Sequence, residues 1–209
     1  MKRGFSLIEL LVVIAIISLL MGIILPALGQ IRIQAKVVVV NAELNQIGLA
    51  LEAYMMDNKN KVPPTRVNCM MIENYYQLPE ELSKGGYLPK PSQDWKGVAM
   101  EDRFNRGFSY KYNAAGDLLV NINSTVNNRL WVPDGFPWID SIDKGKYYEG
   151  ITKSPVTWVV YSLGPNFDEL KVKKMHYPIP MKTWYDPKTR SGVIVRMRLK
   201  NGHHIGSFE

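Results

Sequence analysis

Two hydrophobic patterns follow each other along the first part of the chain. Residues 10–28 are apolar except for Ser18, Gly22 and Pro26. About 20 apolar residues in a helix cross the hydrocarbon core of a bilayer, so this run predicts a membrane-spanning helix. Beyond it, apolar residues recur at spacings of four and three, which is typical of a helix with one buried face. These residues are Ile33, Val37, Val40, Leu44, Ile47, Leu51 and Tyr54. We therefore predict one long helix over residues 5–56, apolar on all sides in its first half and amphipathic in its second.

The rest of the chain predicts a small sheet that packs on the second half of this helix. Pro63 and Pro64 stop the helix. Residues 78–83 are expected to form short helical turns that end at Gly85. Strand candidates are short apolar or alternating runs between turn residues: 108–112, 118–122, 156–163, 183–185 and 193–199. The predicted fold class is α+β, with a mostly antiparallel sheet.

Four of these strand candidates carry more specific expectations. The turn over residues 113–117 predicts that 108–112 and 118–122 pair as a hairpin. The nearly continuous apolar run of residues 156–163 predicts a buried strand. In 193–199, alternate residues are expected to share one face of the sheet, and these are Val193, Val195, Met197 and Leu199.

Glu9 is the only charged residue between Arg3 and Arg32. An acid at membrane depth costs about 2.5–3.5 kcal/mol on insertion scales, so it indicates a function that needs a cationic partner. The alternative is a carboxylate solvated at the level of the lipid headgroups. Lys2 and Arg3 precede the apolar run, and the positive-inside rule therefore predicts a cytoplasmic N-terminus with the rest of the chain outside.

The segment Gly4-Phe5-Ser6-Leu7-Ile8-Glu9, preceded by two basic residues, resembles the class III signal of the type IV pilin superfamily. The resemblance implies that a prepilin peptidase cleaves between Gly4 and Phe5 and that Phe5 is then methylated. Residues 1–4 would be the leader, 5–29 the membrane and filament-core helix, 30–57 its amphipathic half and 58–209 the globular domain. In a filament, the Phe5 amine of an adjacent subunit could pair with Glu9 and set the stagger between subunits, because each charge is unfavourable alone in lipid.

Later segments resemble the major pseudopilins of type II secretion systems. They are the Gly-Tyr-Leu-Pro turn at residues 86–89, Tyr110 and Tyr112 in a Tyr-x-Tyr strand, and the Ser-Leu-Gly segment at residues 162–164. A long insert over residues 123–153 departs from that group. The resemblance implies a homo-oligomeric filament that aids protein export, with an inner-membrane assembly platform, its ATPase and minor pilins as partners. The alternatives are a type IV pilin for adhesion, motility or DNA uptake, and a membrane-anchored periplasmic enzyme or binding module.

Gly22, Pro26 and Gly29 predict a break near the middle of the long helix. Pro26 removes a helical hydrogen bond and crowds the carbonyl four residues earlier, so a kink or a locally melted segment is expected. A simple kink without function is an equal alternative.

No cofactor is predicted, although several major pseudopilins bind calcium in the loop after the Ser-Leu-Gly segment. By resemblance, the candidate calcium ligands are Asn166, Asp168, Glu169 and Asp186. Lysines directly after this loop favour a solvated loop instead. The histidines at positions 176, 203 and 204 lack metal-ligand spacing and are interpreted as solvated, so no enzyme is predicted.

The chain is basic, with a formal net charge of +7. Its basic residues cluster near the C-terminus at Lys188, Arg190, Arg196, Arg198 and Lys200. A nucleic-acid partner is disfavoured because no nucleic-acid motif accompanies the cluster, and a solvated sheet face is the preferred interpretation. Cys69 is the only cysteine, so no internal disulfide can form.

Overall fold

The computed structural model describes residues 7–67, 75–90, 100–121, 124–139, 141, 143–166 and 178–208. Helix α1 runs over Leu7–Asp57 and confirms the predicted long helix. It contains a segment long and apolar enough to cross a membrane, with a mean hydropathy of 3.0. The chain divides into two units, Met1–Val38 and Val39–Glu209, and α1 contributes residues to both.

Helix α1 shows no interruption at the predicted break. It is helical through Gly22, Pro26 and Gly29. A melted segment is therefore absent from the single subunit, and for a filament it stays a prediction.

The described residues of the second unit form a short α-helix and three small sheets. Helix α2, Glu80–Lys84, ends at Gly85 as predicted. The strands are β1 Thr65–Val67, β2 Lys111–Asn113, β3 Gly116–Val120, β4 Ser124–Asn128, β5 Leu130–Pro133, β6 Gly145–Tyr148, β7 Val156–Ser162, β8 Ile194–Leu199 and β9 His204–Gly206. They form sheets of order β1-β3-β4, β2-β7-β8-β9 and β5-β6. All pairs are antiparallel except β1 with β3, so the α+β class is confirmed.

The four-stranded sheet holds the core of the second unit. All seven residues of β7 are buried, which confirms the buried strand predicted at 156–163. The alternation predicted for residues 193–199 is also confirmed. The four residues expected to share one face of the sheet belong to one apolar cluster: Val193, Val195, Met197 and Leu199. From α1, the predicted residues Val40, Leu44, Ile47 and Leu51 are buried as well. Tyr54 is only half-buried, and Met55 is buried beside it.

The predicted hairpin between residues 108–112 and 118–122 is wrong. Strand β2 pairs with β7, whereas β3 pairs with β1 and β4 in another sheet. Buried polar groups fix the link between β2 and β3. Thr65 Oγ1 accepts from the Ala114 amide at 3.1 Å, and Asn128 Nδ2 donates to the Ala114 carbonyl at 2.5 Å. Because a side chain from each of two other strands holds Ala114, the link passes from one sheet to the other instead of closing a turn.

Two other expectations are corrected. Residues 183–185 do not form a strand, since Met181–Thr183 is a 3-10 helix and Trp184 makes only an isolated bridge to Val193. Gly192 follows in a left-handed conformation, φ 112°, and its backbone lies so close to the Trp184 carbonyl that a side chain would clash. The five strand candidates also omitted the insert at 123–153, which contains β4, β5 and β6.

Candidate assembly site

The N-terminal part of α1 presents a nearly continuous apolar surface. Its large apolar side chains between Leu7 and Ile31 are exposed in the single chain, from 42% at Leu28 to 83% at Leu7. An apolar patch of this extent is not stable in water and marks a surface that contacts lipid or protein. Ser18, a polar residue inside it, donates its hydroxyl to the Ile14 carbonyl at 2.7 Å. That local hydrogen bond leaves the surface effectively apolar.

Glu9 lies in the first turn of α1 and its side chain is exposed in the single chain. An acid in the first turn interacts favourably with the helix dipole. The predicted processing residues, Gly4 and Phe5, lie outside the described residues. Their pairing with Glu9 across a subunit boundary therefore stays a prediction.

Within the second unit, Glu43 of α1 is held by two residues of the globular domain. The Arg103 guanidinium forms a salt bridge with its carboxylate, and the Tyr110 hydroxyl donates to the same group. Tyr110 itself is fully buried. This contact fixes the outer part of α1 to Tyr110, the residue directly before β2.

Glu52, further along α1, is held by the four-stranded sheet. Arg198 Nε lies 2.8 Å from Glu52 Oε1, and His204 Nε2 lies 3.1 Å from the same oxygen. Arg198 and Glu52 form an ion pair but no aligned hydrogen bond. Among the described residues, the Arg198 Nε–H has no acceptor in hydrogen-bonding geometry. Arg196 Nη2 lies 3.1 Å from His204 Nδ1, so Nδ1 acts as the acceptor and Nε2 carries the proton toward Glu52.

These contacts correct two interpretations made from the sequence. Arg196 and Arg198 do not belong to a solvated basic face, and His204 is not a solvated tail residue. Sequence reasoning missed them because their partner, Glu52, is 152 residues from His204. The sequence did contain a sign that Glu52 needs a basic partner, since this acid lies next to Leu51 on the buried side of the amphipathic helix.

We predict that Glu52→Ala destabilises the domain by about 1–3 kcal/mol, because it leaves half-buried basic groups without their acceptor. The side chains of Glu52, Arg198 and His204 are only 22–24% exposed. Glu149→Ala is the matched control, because it removes a salt bridge to Arg129 whose side chains are 59–65% exposed. Such a pair contributes about 0–1 kcal/mol. Urea unfolding of the detergent-solubilised chain measures both; equal losses would contradict the assigned role of Glu52.

Burial raises the pKa of the Tyr110 phenol, and the hydrogen bond to Glu43 raises it further. Burial likewise raises the pKa of Tyr112 well above its usual range. The hydroxyl of Tyr112 donates to the Pro63 carbonyl at 2.8 Å. Both groups therefore stay protonated in the folded domain at a pH where they ionise in the unfolded chain.

A loss of stability at alkaline pH follows. Above an unfolded pKa of about 10, the unfolded chain releases two protons that the folded domain keeps, so the free energy of unfolding falls as pH rises. These two groups together contribute a slope of roughly −1.4 kcal/mol per pH unit at pH 10, which approaches roughly −2.7 at higher pH as ionisation in the unfolded chain becomes complete. The double variant Tyr110→Phe/Tyr112→Phe should show a correspondingly shallower slope between pH 10 and 11 in urea titrations. An unchanged slope would contradict the protonated, buried state of these tyrosines.

The Gly-Tyr-Leu-Pro turn connects α2 to the end of α1. The Tyr87 and Leu88 amides both donate to the Leu82 carbonyl at 2.9 Å. This turn directs the Tyr87 hydroxyl to Asp57, at 2.7 Å. The Tyr87 ring also meets Tyr54 edge to face, with centroids 5.7 Å apart.

The calcium candidates fall into two groups. Asp168 and Glu169 lie outside the described residues, whereas Asn166 and Asp186 lie inside them. Asn166 Nδ2 donates to the Arg190 carbonyl at 3.3 Å. The Lys188 amide donates to Asp186, at 2.9 Å, and lowers the pKa of that carboxyl. In the described part of the chain, no three His, Cys, Asp or Glu residues come together to hold a metal, and calcium binding stays a prediction.

Comparisons with known proteins place these features in a family. Residues 1–25 match the family described as "Prokaryotic N-terminal methylation motif". The chain is 31% identical over 119 residues to the type II secretion system core protein G of Pseudomonas aeruginosa. This alignment covers 55% of this chain and 75% of that protein. It is 45% identical over 58 residues to the type IV wide pilus major component PilA4 of Thermus thermophilus. That second alignment covers 28% of this chain and 44% of the relative. No solved structure matches the chain.

These two relatives are a secretion-system core protein and a pilus component, and neither description denotes a catalytic activity. The methylation motif and the apolar helix that follows it fit a membrane-anchored precursor. The antiparallel sheets after that helix give the α+β architecture expected of a pilin-like subunit. The chain belongs to the type IV pilin superfamily of pilins and pseudopilins.

Proposed function

We propose that this chain is a pseudopilin of a type II secretion system, a structural subunit whose filament aids protein export. The observation that carries this proposal is the 119-residue alignment with the core protein G of Pseudomonas aeruginosa. That alignment is more than twice as long as α1, which has 51 residues, and so it must include much of the globular domain. The N-terminal motif alone would not separate secretion from other pilin-like functions.

The proposed route to the filament starts from the membrane. The precursor is inserted in the inner membrane with its N-terminus in the cytoplasm, since Lys2 and Arg3 precede the apolar helix. The prepilin peptidase cleaves after Gly4 and methylates Phe5. The assembly platform, its ATPase and minor pilins then transfer the subunit into a periplasmic filament.

Glu9 provides the driving force and the register for this transfer. In the bilayer the carboxylate is unfavourable by about 2.5–3.5 kcal/mol. In the filament, the Phe5 ammonium of an adjacent subunit approaches it within the bundle of apolar helices, and the attraction offsets the desolvation of both charges. The apolar side chains around Glu9 exchange lipid for neighbouring helices.

Processing predicts a definite mature N-terminus. Mass spectrometry of the chain from its native host should give a polypeptide that begins at methylated Phe5. The reason is that Gly4 and Phe5 occupy the cleavage positions of the motif that matches residues 1–25. A mature N-terminus after Ala27 instead would contradict prepilin processing and indicate an ordinary secretory signal.

A type IV pilin of a surface filament is the second candidate, favoured by the 45% identity to the Thermus thermophilus pilus component. Deletion of the gene in its native host separates the two. A secretion pseudopilin predicts that exported proteins accumulate inside the cell envelope while surface filaments persist. Loss of surface filaments with normal secretion would contradict the first proposal and support the second.

A further inference from the structure

The loop between β5 and β6 carries an exposed apolar tip. We call residues 134–143 the tip loop. Within it, Trp138 is 91% exposed and Ile139 is 60% exposed. A tryptophan is rarely so exposed in a monomeric domain, whereas it is the residue type most enriched at the energetic centres of protein interfaces.

Residues 134–139 of the tip loop are held in shape by their own backbone. The amides of Trp138 and Ile139 both donate to the Gly135 carbonyl, at 2.9 and 3.0 Å. Phe136 is buried and joins the apolar cluster of the four-stranded sheet. Gly135 has a φ of 75°, a left-handed conformation that favours glycine, and Ile139 Cδ1 would lie 2.9 Å from a Cβ at this position. The loop is therefore anchored at Phe136 and turns Trp138 outward.

The charge of the tip loop is opposite to that of the rest of the chain. Its sequence contains the acids Asp134, Asp140 and Asp143 and no lysine or arginine, and Lys144 follows directly after it. The whole chain has a formal net charge of +7, so the remainder is more basic still. An anionic lipid surface would repel the loop's acids, whereas a second copy of this chain presents the complementary charge.

We propose that the tip loop docks on a basic surface of a second copy of this chain, with Trp138 as its central contact. This inference rests on the proposed function, because the second copy is the neighbouring subunit in the filament. Burial of the indole supplies a large apolar contact, and the acids in the loop sequence favour a basic partner. The contact links globular domains and is additional to the packing of the apolar helices.

Site-specific photocrosslinking in assembled filaments of the full-length processed chain tests the proposal. A benzophenone amino acid at position 138 should give crosslinked dimers of this chain, with the second site mapped by mass spectrometry to a lysine- or arginine-rich surface. The matched control is the same probe at position 126, where Val126 is exposed on β4. We expect dimer yield at position 138 to exceed that at 126 by at least about tenfold, as for a central interface contact.

The outcomes separate this proposal from the proposed function. Filaments with equal dimer yields at the two positions, or with crosslinks from position 138 to lipid or to a different protein, would overturn docking on a second copy and leave the filament intact. Failure of the unmodified chain to form filaments in its native host would overturn both.

Trp138→Ala supplies an independent readout, since the exposed side chain is not needed for folding. It should leave the unfolding midpoint unchanged and raise the fraction of subunits released by 0.5 M salt about tenfold; unchanged release would contradict the proposal.

Discussion

Replacement of Glu9 by alanine is expected to abolish filaments or reduce them to short fragments while leaving peptidase cleavage intact. The variant lacks the carboxylate that would pair with the Phe5 ammonium of an adjacent subunit. Its helix is also more stable in the bilayer, because the cost of about 2.5–3.5 kcal/mol for an intramembrane acid disappears. Both effects act in the same direction: the membrane form gains stability and the filament loses an ion pair in a low-dielectric environment.

Electron microscopy of filaments and mass spectrometry of the N-terminus measure the two parts of this prediction separately. Glu9→Gln tests charge with little change in shape and should resemble the alanine variant. Asp117→Ala is the matched control, because it removes an exposed acid on β3, outside the apolar helix. Normal filaments from both Glu9 variants would contradict the role of Glu9 in assembly.

Replacement of Trp158 by alanine should destabilise the globular domain by about 3–5 kcal/mol. Among the described residues, Trp158 is the largest fully buried side chain, and it lies on β7, in the middle of the four-stranded sheet. A Cβ at Gly48 of α1 would lie 3.2 Å from the Trp158 ring, so helix and ring are in close contact there. The ring also packs against His204, with centroids 5.4 Å apart. Its loss leaves a cavity between the helix and the sheet.

Urea unfolding of the detergent-solubilised chain measures this loss. Trp138→Ala is the matched control, because the same substitution at a 91% exposed tryptophan should change stability by less than about 0.5 kcal/mol. A domain stability of 5–15 kcal/mol is typical, so the Trp158 variant should also be depleted in cells. Similar stabilities of the two variants would contradict the assigned position of Trp158 in the core.

Local patterns were sufficient to predict the helices and the central strands. The apolar run and the spacing of Val40, Leu44, Ile47 and Leu51 depend on neighbours one to four residues away, and α1 follows them closely. Strand β7 was equally clear, because burial of both faces of a strand requires a continuous apolar sequence.

Pairing between distant strands was not predictable in the same way. Residues 113–117 resemble a hairpin turn, but Thr65 and Asn128 bind Ala114 and separate β2 from β3. Neither side chain is near this link in the sequence. The partners of Glu52 were missed for the same reason, since an arginine on a strand gives no local sign that it faces a helix.

The predicted assembly role of Glu9, which stays a prediction, depends on one residue that contradicts its surroundings. Glu9 was recognised because a single acid interrupts an apolar run. The tip loop was missed because aromatic residues between turn residues are as consistent with a buried strand as with an exposed loop. The sequence Gly-Phe-Pro-Trp between Asp134 and Asp140 could have indicated a loop, because it is too rich in turn residues for a strand.

A filament reconstruction by electron cryo-microscopy at side-chain resolution tests the central claim most directly. The account predicts that each Glu9 carboxylate lies within about 4 Å of the Phe5 amine of an adjacent subunit, inside a bundle of apolar helices. A map in which Glu9 faces bulk water, with no cationic group from a neighbouring subunit beside it, would contradict the account.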